Sequence, residues 1–352
     1  MRRLWTLLGC LSAVLALAVS AAATAAPAPV HRIVAVGDLH GDFAAWRDIA
    51  RAAKLIDGKG AWIGRDTVLV QTGDVVDRGP DSLRIIQDLV RLQREAQRAR
   101  GQVIALVGNH EAMNVTGDLR YVSAGDYAAF TDRQSAERRE RVYTANKETI
   151  EAAYRQTNPE MTSEAIKQAW IASTPLGVLE HQAAWRADGQ IGRWIISNPA
   201  VVLVDGTLFV HGGISPAFAA VPIAEINRQV SAALTAQSPA EQAILNDPLG
   251  PLWYRGLADE AGAPSTDEPA APVANASPAP PVETQLETLL SAYGAKRIVI
   301  GHTPITSGIA VLYGGRLIRI DTGISAVYNG KLSYLEILDG TPIPHVVERS
   351  RQ

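Results

Sequence analysis

The 352 residues are 47% hydrophobic and 20% charged with a formal net charge of −3, the balance of a globular protein. Nothing in that charge suits bulk electrostatic binding to nucleic acid or an acidic membrane, so neither is expected as a partner. The length admits one large domain or two modest ones.

The chain opens with Arg2 and Arg3, an apolar run from Leu4 to Val19 and small residues from Ser20 to Ala26. This order is that of a secretory leader, with Ala23-Thr24-Ala25 as a small-x-small cleavage site, so residues 1–25 are expected to be removed. The run is short for a membrane span, and no stable membrane insertion is expected after cleavage. Cys10 is the only cysteine and lies in the leader. The mature chain would then have no disulfide and no thiolate nucleophile, and it would tolerate an oxidising compartment, periplasmic or secreted.

Short Val/Ile/Leu-rich runs at Ile33–Gly37, Val68–Thr72 and Val103–Val107 read as buried strands, each ending in a Gly-containing polar motif. Between them, Phe43–Ala53 and Ser82–Arg100 carry apolar residues at helical spacing, which predicts a layered α/β domain. Asp126 to Gln190 reads as a helical insert interrupted near Thr174-Pro175, either beside the cleft or a plain scaffold. Strand signals return at Ala200–Val204, Leu208–His211, Arg297–Ile300, Ile309–Leu312, Leu317–Ile320 and Lys331–Leu338. These are expected to close the chain as a second sheet of neighbouring strands. Residues 261–282, rich in Pro and Ala, are expected to form a disordered loop within the fold.

The chemistry-bearing residues sit at the predicted strand ends. In Gly37-Asp38-Leu39-His40-Gly41-Asp42, residues two apart at a strand end point the same way, so a carboxylate and an imidazole could share a divalent metal. Gly73-Asp74-Val75-Val76-Asp77-Arg78-Gly79-Pro80 supplies a carboxylate able to bridge two cations, a second acid and an arginine. A plain helix cap by Asp77 or Asp81 is the alternative. In Gly108-Asn109-His110-Glu111, adjacent side chains at a strand end diverge, so Asn109 can face metal while His110 faces substrate. His211-Gly212-Gly213-Ile214-Ser215-Pro216 and Gly301-His302-Thr303-Pro304 each put a histidine just after a β run. Each motif alone is weak, but four of the seven histidines fall in such Gly-flanked places. His31, His181 and His345 do not, and are expected to be surface or structural residues.

Taken in order, these motifs resemble the metallophosphoesterase (calcineurin-like) superfamily and its phosphoprotein phosphatase branch. Asn114 to Val122 and Pro251-Leu252-Trp253-Tyr254-Arg255 are similar to the bacterial Shewanella-like phosphatases, and the likeness spans Ile33 to Tyr328. The resemblance implies a four-layer αββα sandwich of two mixed sheets flanked by helices. It also implies two divalent ions, Mn, Fe or Zn, with Asp38, His40 and Asp74 on the first and Asp74, Asn109, His211 and His302 on the second. His110, oriented by Asp77, would be the acid, and Arg78 and Arg255 would clamp phosphate. Gly301-His302-Thr303-Pro304 lacks the second histidine of many phosphodiesterases, which favours a phosphomonoesterase. Val107 stands where eukaryotic Ser/Thr members usually carry Arg, which weakens any transfer of their partner and subunit biology. The expected substrate is a phosphorylated protein or peptide, phosphotyrosine by likeness, or a small phosphomonoester attacked by metal-activated water. Hydrolysis of a nucleotide or dinucleoside polyphosphate is the alternative enzyme reading, and a non-catalytic phosphate-sensing module the third.

Overall fold

The computed structural model describes residues 32–236, 242–258 and 280–350. The expected leader at 1–25, Cys10, His31 and residues 261–279 of the expected loop lie outside these. The remainder of that loop is short, because Pro281 caps a helix that begins at Val282.

Ten strands form two five-stranded sheets among the described residues. They are β1 (Arg32–Val36), β2 (Val68–Gln71), β3 (Gln102–Ala105), β4 (Val201–Val204), β5 (Thr207–Val210), β6 (Arg297–Ile300), β7 (Ala310–Leu312), β8 (Leu317–Arg319), β9 (Leu332–Leu338) and β10 (Thr341–Val347). The first sheet runs β10-β9-β1-β2-β3 and the second β4-β5-β6-β8-β7. In each, three central or consecutive strands are parallel, β1, β2 and β3 in one and β5, β6 and β8 in the other.

The two-residue alternation of the strands divides the core. Ile33, Ala35, Val68, Val70, Ile104, Leu106, Leu335 and Ile337 on the first sheet's side face Phe209, Val299 and Ile318 of the second in a layer between the sheets. The intervening residues, Val34, Val36, Leu69, Val103 and Ala105, pack outward with helix residues. Because both faces are covered, the parallel strands read as unbroken apolar runs. The result is the expected four-layer αββα sandwich.

The helices are α1 (Phe43–Ala52), α2 (Ser82–Arg98), α3 (Asn109–Thr116), α4 (Ala124–Ala129), α5 (Ser135–Ala145), α6 (Lys147–Thr157), α7 (Ser163–Ser173), α8 (Val178–Trp185), α9 (Gln190–Ser197), α10 (Ile223–Thr235), α11 (Ala243–Asn246) and α12 (Val282–Tyr293). Helix α1 starts where the Asp42 carboxylate accepts from Ala45 N at 2.9 Å. Helix α2 buries Ile85, Ile86, Leu89, Leu92 and Ala96 along one stripe.

The structure differs from the sequence reading in three places. β9 does not join the second sheet; it pairs antiparallel with β1 and returns the chain to the first. β10 was not anticipated, since Pro342 and Pro344 lie within it. Proline lacks an N–H, and β10 tolerates two because it is an edge strand. The third motif is a helix start rather than a strand end: Asn109 opens α3, so the divergence of Asn109 and His110 comes from helical rotation.

Helices α4 to α9 fill 124–197, with the expected break where Thr174 ends α7. His181 of α8 is only 3% exposed and lies among the rings of Tyr127, Phe130 and Trp185 at 5.3, 5.0 and 5.8 Å. Its Nδ1 has no hydrogen-bond partner, and burial pushes its pKa down to about 4. Above pH 6.5 the ring is neutral whether folded or not. Between there and about pH 4 only the unfolded chain takes the proton, so stability falls with pH. His181→Phe should therefore recover about 3 kcal/mol of the stability lost across that window. Urea unfolding of both proteins at pH 7 and 4.5 checks this, and equal losses would contradict it.

Candidate active site

Every parallel strand of both sheets releases a polar residue into one cleft at its C-terminal end. β1 leads to Asp38 and His40, β2 to Asp74, β3 to Asn109, β5 to His211, β6 to His302 and β8 to Asp321. Ligand sites of open α/β sheets form at such ends. Asp38, His40, Asp74, Asn109, His110, His211 and His302 are all 7% exposed or less.

Two groups of potential metal donors share one carboxylate: His40, Asp74 and His110 in one, Asp74, His211 and His302 in the other. The donor atoms within each group lie within 4.8 Å of one another. Asp74 Oδ2 is 3.3 Å from His211 Nε2 and 3.9 Å from Nε2 of both His40 and His110. His211 Nε2 is also 2.8 Å from Asn109 Oδ1 and 3.2 Å from His302 Nδ1.

Carbonyls fix the ring tautomers. His40 Nδ1–H donates to Val76 O at 3.1 Å and His211 Nδ1–H to Thr72 O at 2.9 Å. A carbonyl can only accept, so Nε2 of each neutral ring is left with its lone pair toward Asp74. That is how a metal-ligating histidine is normally oriented. The donor set of carboxylate, amide oxygen and imidazole nitrogen suits a borderline divalent ion.

Asp38 lies in the same buried cluster: its carboxylate accepts from His302 N at 3.0 and 3.3 Å, and the charge of Asp74 reaches it. The two-residue alternation that would align Asp38 with His40 ends with β1, and His40 turns left-handed at φ 40°. Asp74, Asp77, Arg78 and His302 are left-handed too, at φ 54°, 69°, 69° and 66°. Five such residues in one cleft are local strain held by the surrounding fold.

Burial and the carboxylates of Asp321 and Asp74 push the Asp38 carboxyl well above its usual range. Burial would also raise Asp74, but His211, His110 and His40 around it outweigh that and hold it well below. Burial and the neighbouring His110 push His40 down to about 3. A cluster this buried, with mutually repelling carboxyls and a His302 Nε2 that has no partner, fits a site built around cations.

His110 lies beside the donors. Its Nδ1 is 2.6 Å from Asp77 Oδ2, and Asn114 Nδ2 donates to the other Asp77 oxygen at 2.9 Å. Burial opposes its charge, but Asp74 and Asp77 outweigh that and raise it to about 9. The Arg78 guanidinium stacks 4.1 Å from the Tyr121 ring centroid. Arg255 is half-buried and close enough to His302 for its charge to oppose protonation there.

Glu111 of the third motif has a task that the sequence does not show. Its carboxylate accepts from Asp74 N and Gly108 N at 2.8 Å and Val75 N at 2.9 Å, tying the second and third motifs together. Gly108 is required here, since a Cβ would sit 2.2 Å from Asp74 Oδ1. Glu111→Ala would strand three buried donors at about 1–3 kcal/mol each, so a stability loss above about 3 kcal/mol is expected in urea unfolding. A loss under about 1 kcal/mol would show that the tie is unimportant. Asp321 was also missed, although Asp-Thr-Gly after a β run repeats the signal used for Asp38 and Asp74. His345 takes a structural place, stacked 4.5 Å from Tyr334 and 3.0 Å from Glu336.

This sandwich, with its shared-carboxylate cleft, defines the class: the chain belongs to the calcineurin-like phosphoesterase family, whose model matches residues 31–306. It is 30% identical over 303 residues to Shewanella-like protein phosphatase 2 of Arabidopsis thaliana, covering 84% of this chain and 71% of that protein. Shewanella-like protein phosphatase 1 of Plasmodium berghei is 27% identical, over 85% of this chain and 68% of its own. Among solved structures, a cold-active protein tyrosine phosphatase is 25% identical with a TM-score of 0.62, over 90% of this chain and 78% of that one.

Proposed function

We propose that the chain is a metal-dependent phosphomonoesterase acting on phosphorylated protein or peptide, with phosphotyrosine preferred. The observation that carries this is Asp74 shared between two histidine groups, with the His110–Asp77 pair alongside. Asp38, His40 and Asp74 would hold one ion and Asp74, Asn109, His211 and His302 the other, manganese, iron or zinc. When bound, such ions supply Lewis-acid charge to the phosphate and lower the pKa of water.

The protein's own groups do the rest. Arg78 and Arg255 neutralise charge that grows on the phosphate oxygens. His110 gives the proton on Nε2 to the departing oxygen while Asp77 holds the ring through Nδ1. The names of the relatives support a phosphoprotein substrate. Tyr328 and Trp253, with rings 5.4 Å from His40 and 5.6 Å from His302, offer aromatic surface for an aryl leaving group. The leader-like start supports export to the periplasm or outside the cell. No helix among the described residues is long and apolar enough to cross a membrane.

A substrate panel tests the proposal. Manganese-loaded protein should turn over phosphotyrosine peptide faster than phosphoserine or phosphothreonine peptide, lose activity to a chelator and regain it with Mn²⁺. Faster cleavage of diadenosine tetraphosphate would move the chain to polyphosphate hydrolysis, and no turnover of any substrate would end the enzyme reading.

A further inference from the structure

The loop from Asp77 to Ser82 carries both the partner of His110 and the phosphate-facing Arg78, and it has two consecutive left-handed residues, Asp77 and Arg78. It does not hold that shape by itself. Asp81, at the N-cap of α2, makes no capping bond; its carboxylate accepts from Arg84 instead. His40 O and Gly41 O of the first motif accept from Gly79 N and Asp81 N at 3.0 Å each, and further bonds come from the segment that leads into the helical insert.

Arg78 N donates to Tyr121 O at 2.9 Å. Ser123 Oγ donates to Gly79 O at 3.0 Å. Ser82 N, an open donor of the first turn of α2, is capped in trans by Asp126 Oδ1 at 3.1 Å. Gly125 packs so close to Pro80 that a Cβ would lie 2.3 Å from the proline side chain. Ser82 Oγ in turn accepts from Asp77 N at 3.0 Å. Three tethers and a close backbone approach, all from residues 121–126, therefore meet one six-residue loop.

The side chain of Tyr121 adds to this. Its ring lies under the Arg78 guanidinium and 5.1 Å from the His110 ring. Arg78 Nε is buried with no hydrogen-bond partner, so stacking is what restrains the guanidinium at that edge.

We infer that Tyr121 to Asp126 is a positioning clamp on the Asp77–Ser82 loop, and that Tyr121 holds Arg78 in place for the substrate phosphate. The clamp makes the root of the insert part of phosphate binding. This rests on the phosphatase reading. The parent enzyme's turnover tests that reading, whereas comparison among variants tests the clamp.

The experiment is a double-mutant cycle on the metal-loaded enzyme with an aryl phosphate and with inorganic phosphate as inhibitor. Tyr121→Leu removes the ring but keeps the backbone carbonyl. It should raise KM and the phosphate inhibition constant about tenfold each, with kcat changed less than about threefold. Tyr121→Phe keeps the stacking face and should match the parent. In an Arg78→Ala background, Tyr121→Leu should do nothing further, because the group it positions is gone. A tenfold effect that persists without Arg78, or a loss of kcat at unchanged KM, would overturn the inference. Ser123→Ala repeats the test through Gly79 if Tyr121→Leu fails to fold: a KM rise that vanishes without Arg78 supports the clamp, and an unchanged KM overturns it.

Discussion

Asp74→Asn is expected to reduce kcat by about a thousandfold or more and to lower metal content in the same preparation. Asp74 is the one carboxylate common to both donor groups, and its Oδ2 faces His40, His110 and His211 together. Oδ1 meanwhile accepts from His110 N at 3.0 Å. An amide keeps the shape and one oxygen, so that backbone bond survives and the fold should persist. It loses the negative charge that the three histidines favour and the second oxygen that would serve a cation. Metal analysis and kinetics on one sample decide the matter. A folded variant with full metal content and a tenth or more of parental activity would leave the shared-carboxylate proposal without support.

His110→Asn should cost about a hundredfold to ten-thousandfold with an alkyl phosphate and much less with an activated aryl phosphate. The difference follows from the leaving group. An alkoxide needs a proton as the bond to phosphorus breaks, whereas a nitrophenolate departs without one. Asp77→Asn should show the same substrate dependence in weaker form, because Asp77 acts through its 2.6 Å contact with His110 Nδ1. Equal losses across leaving groups would assign His110 to structure or to metal binding, since it also belongs to the His40–Asp74 group.

Much of this architecture is legible in the sequence, because strands buried on both faces leave unbroken Val/Ile/Leu runs and glycine marks where each releases the chain. Those signals locate Asp38, Asp74, His211 and His302, and they suffice for the family. What they miss depends on relations between distant segments. Two prolines hide β10, whose tolerance of them comes from its place at a sheet edge. The bond from His302 N to Asp38 crosses 264 positions, beyond the reach of any local pattern. Glu111 reads as one acid among many until it is seen to accept from three backbone groups of two motifs. Asp126 looks like a local helix acid, and its bond to Ser82 crosses 44 positions.

The return of β9 to β1 also sets an order of assembly. Arg32 pairs with Leu338, so the first sheet cannot be completed until almost the whole chain is present. The cleft draws on strand ends from both sheets, and a pairing so distant in sequence forms slowly. A nascent or truncated chain therefore carries the residues of the site without its geometry, and hydrolytic capacity arrives as one of the last events of folding.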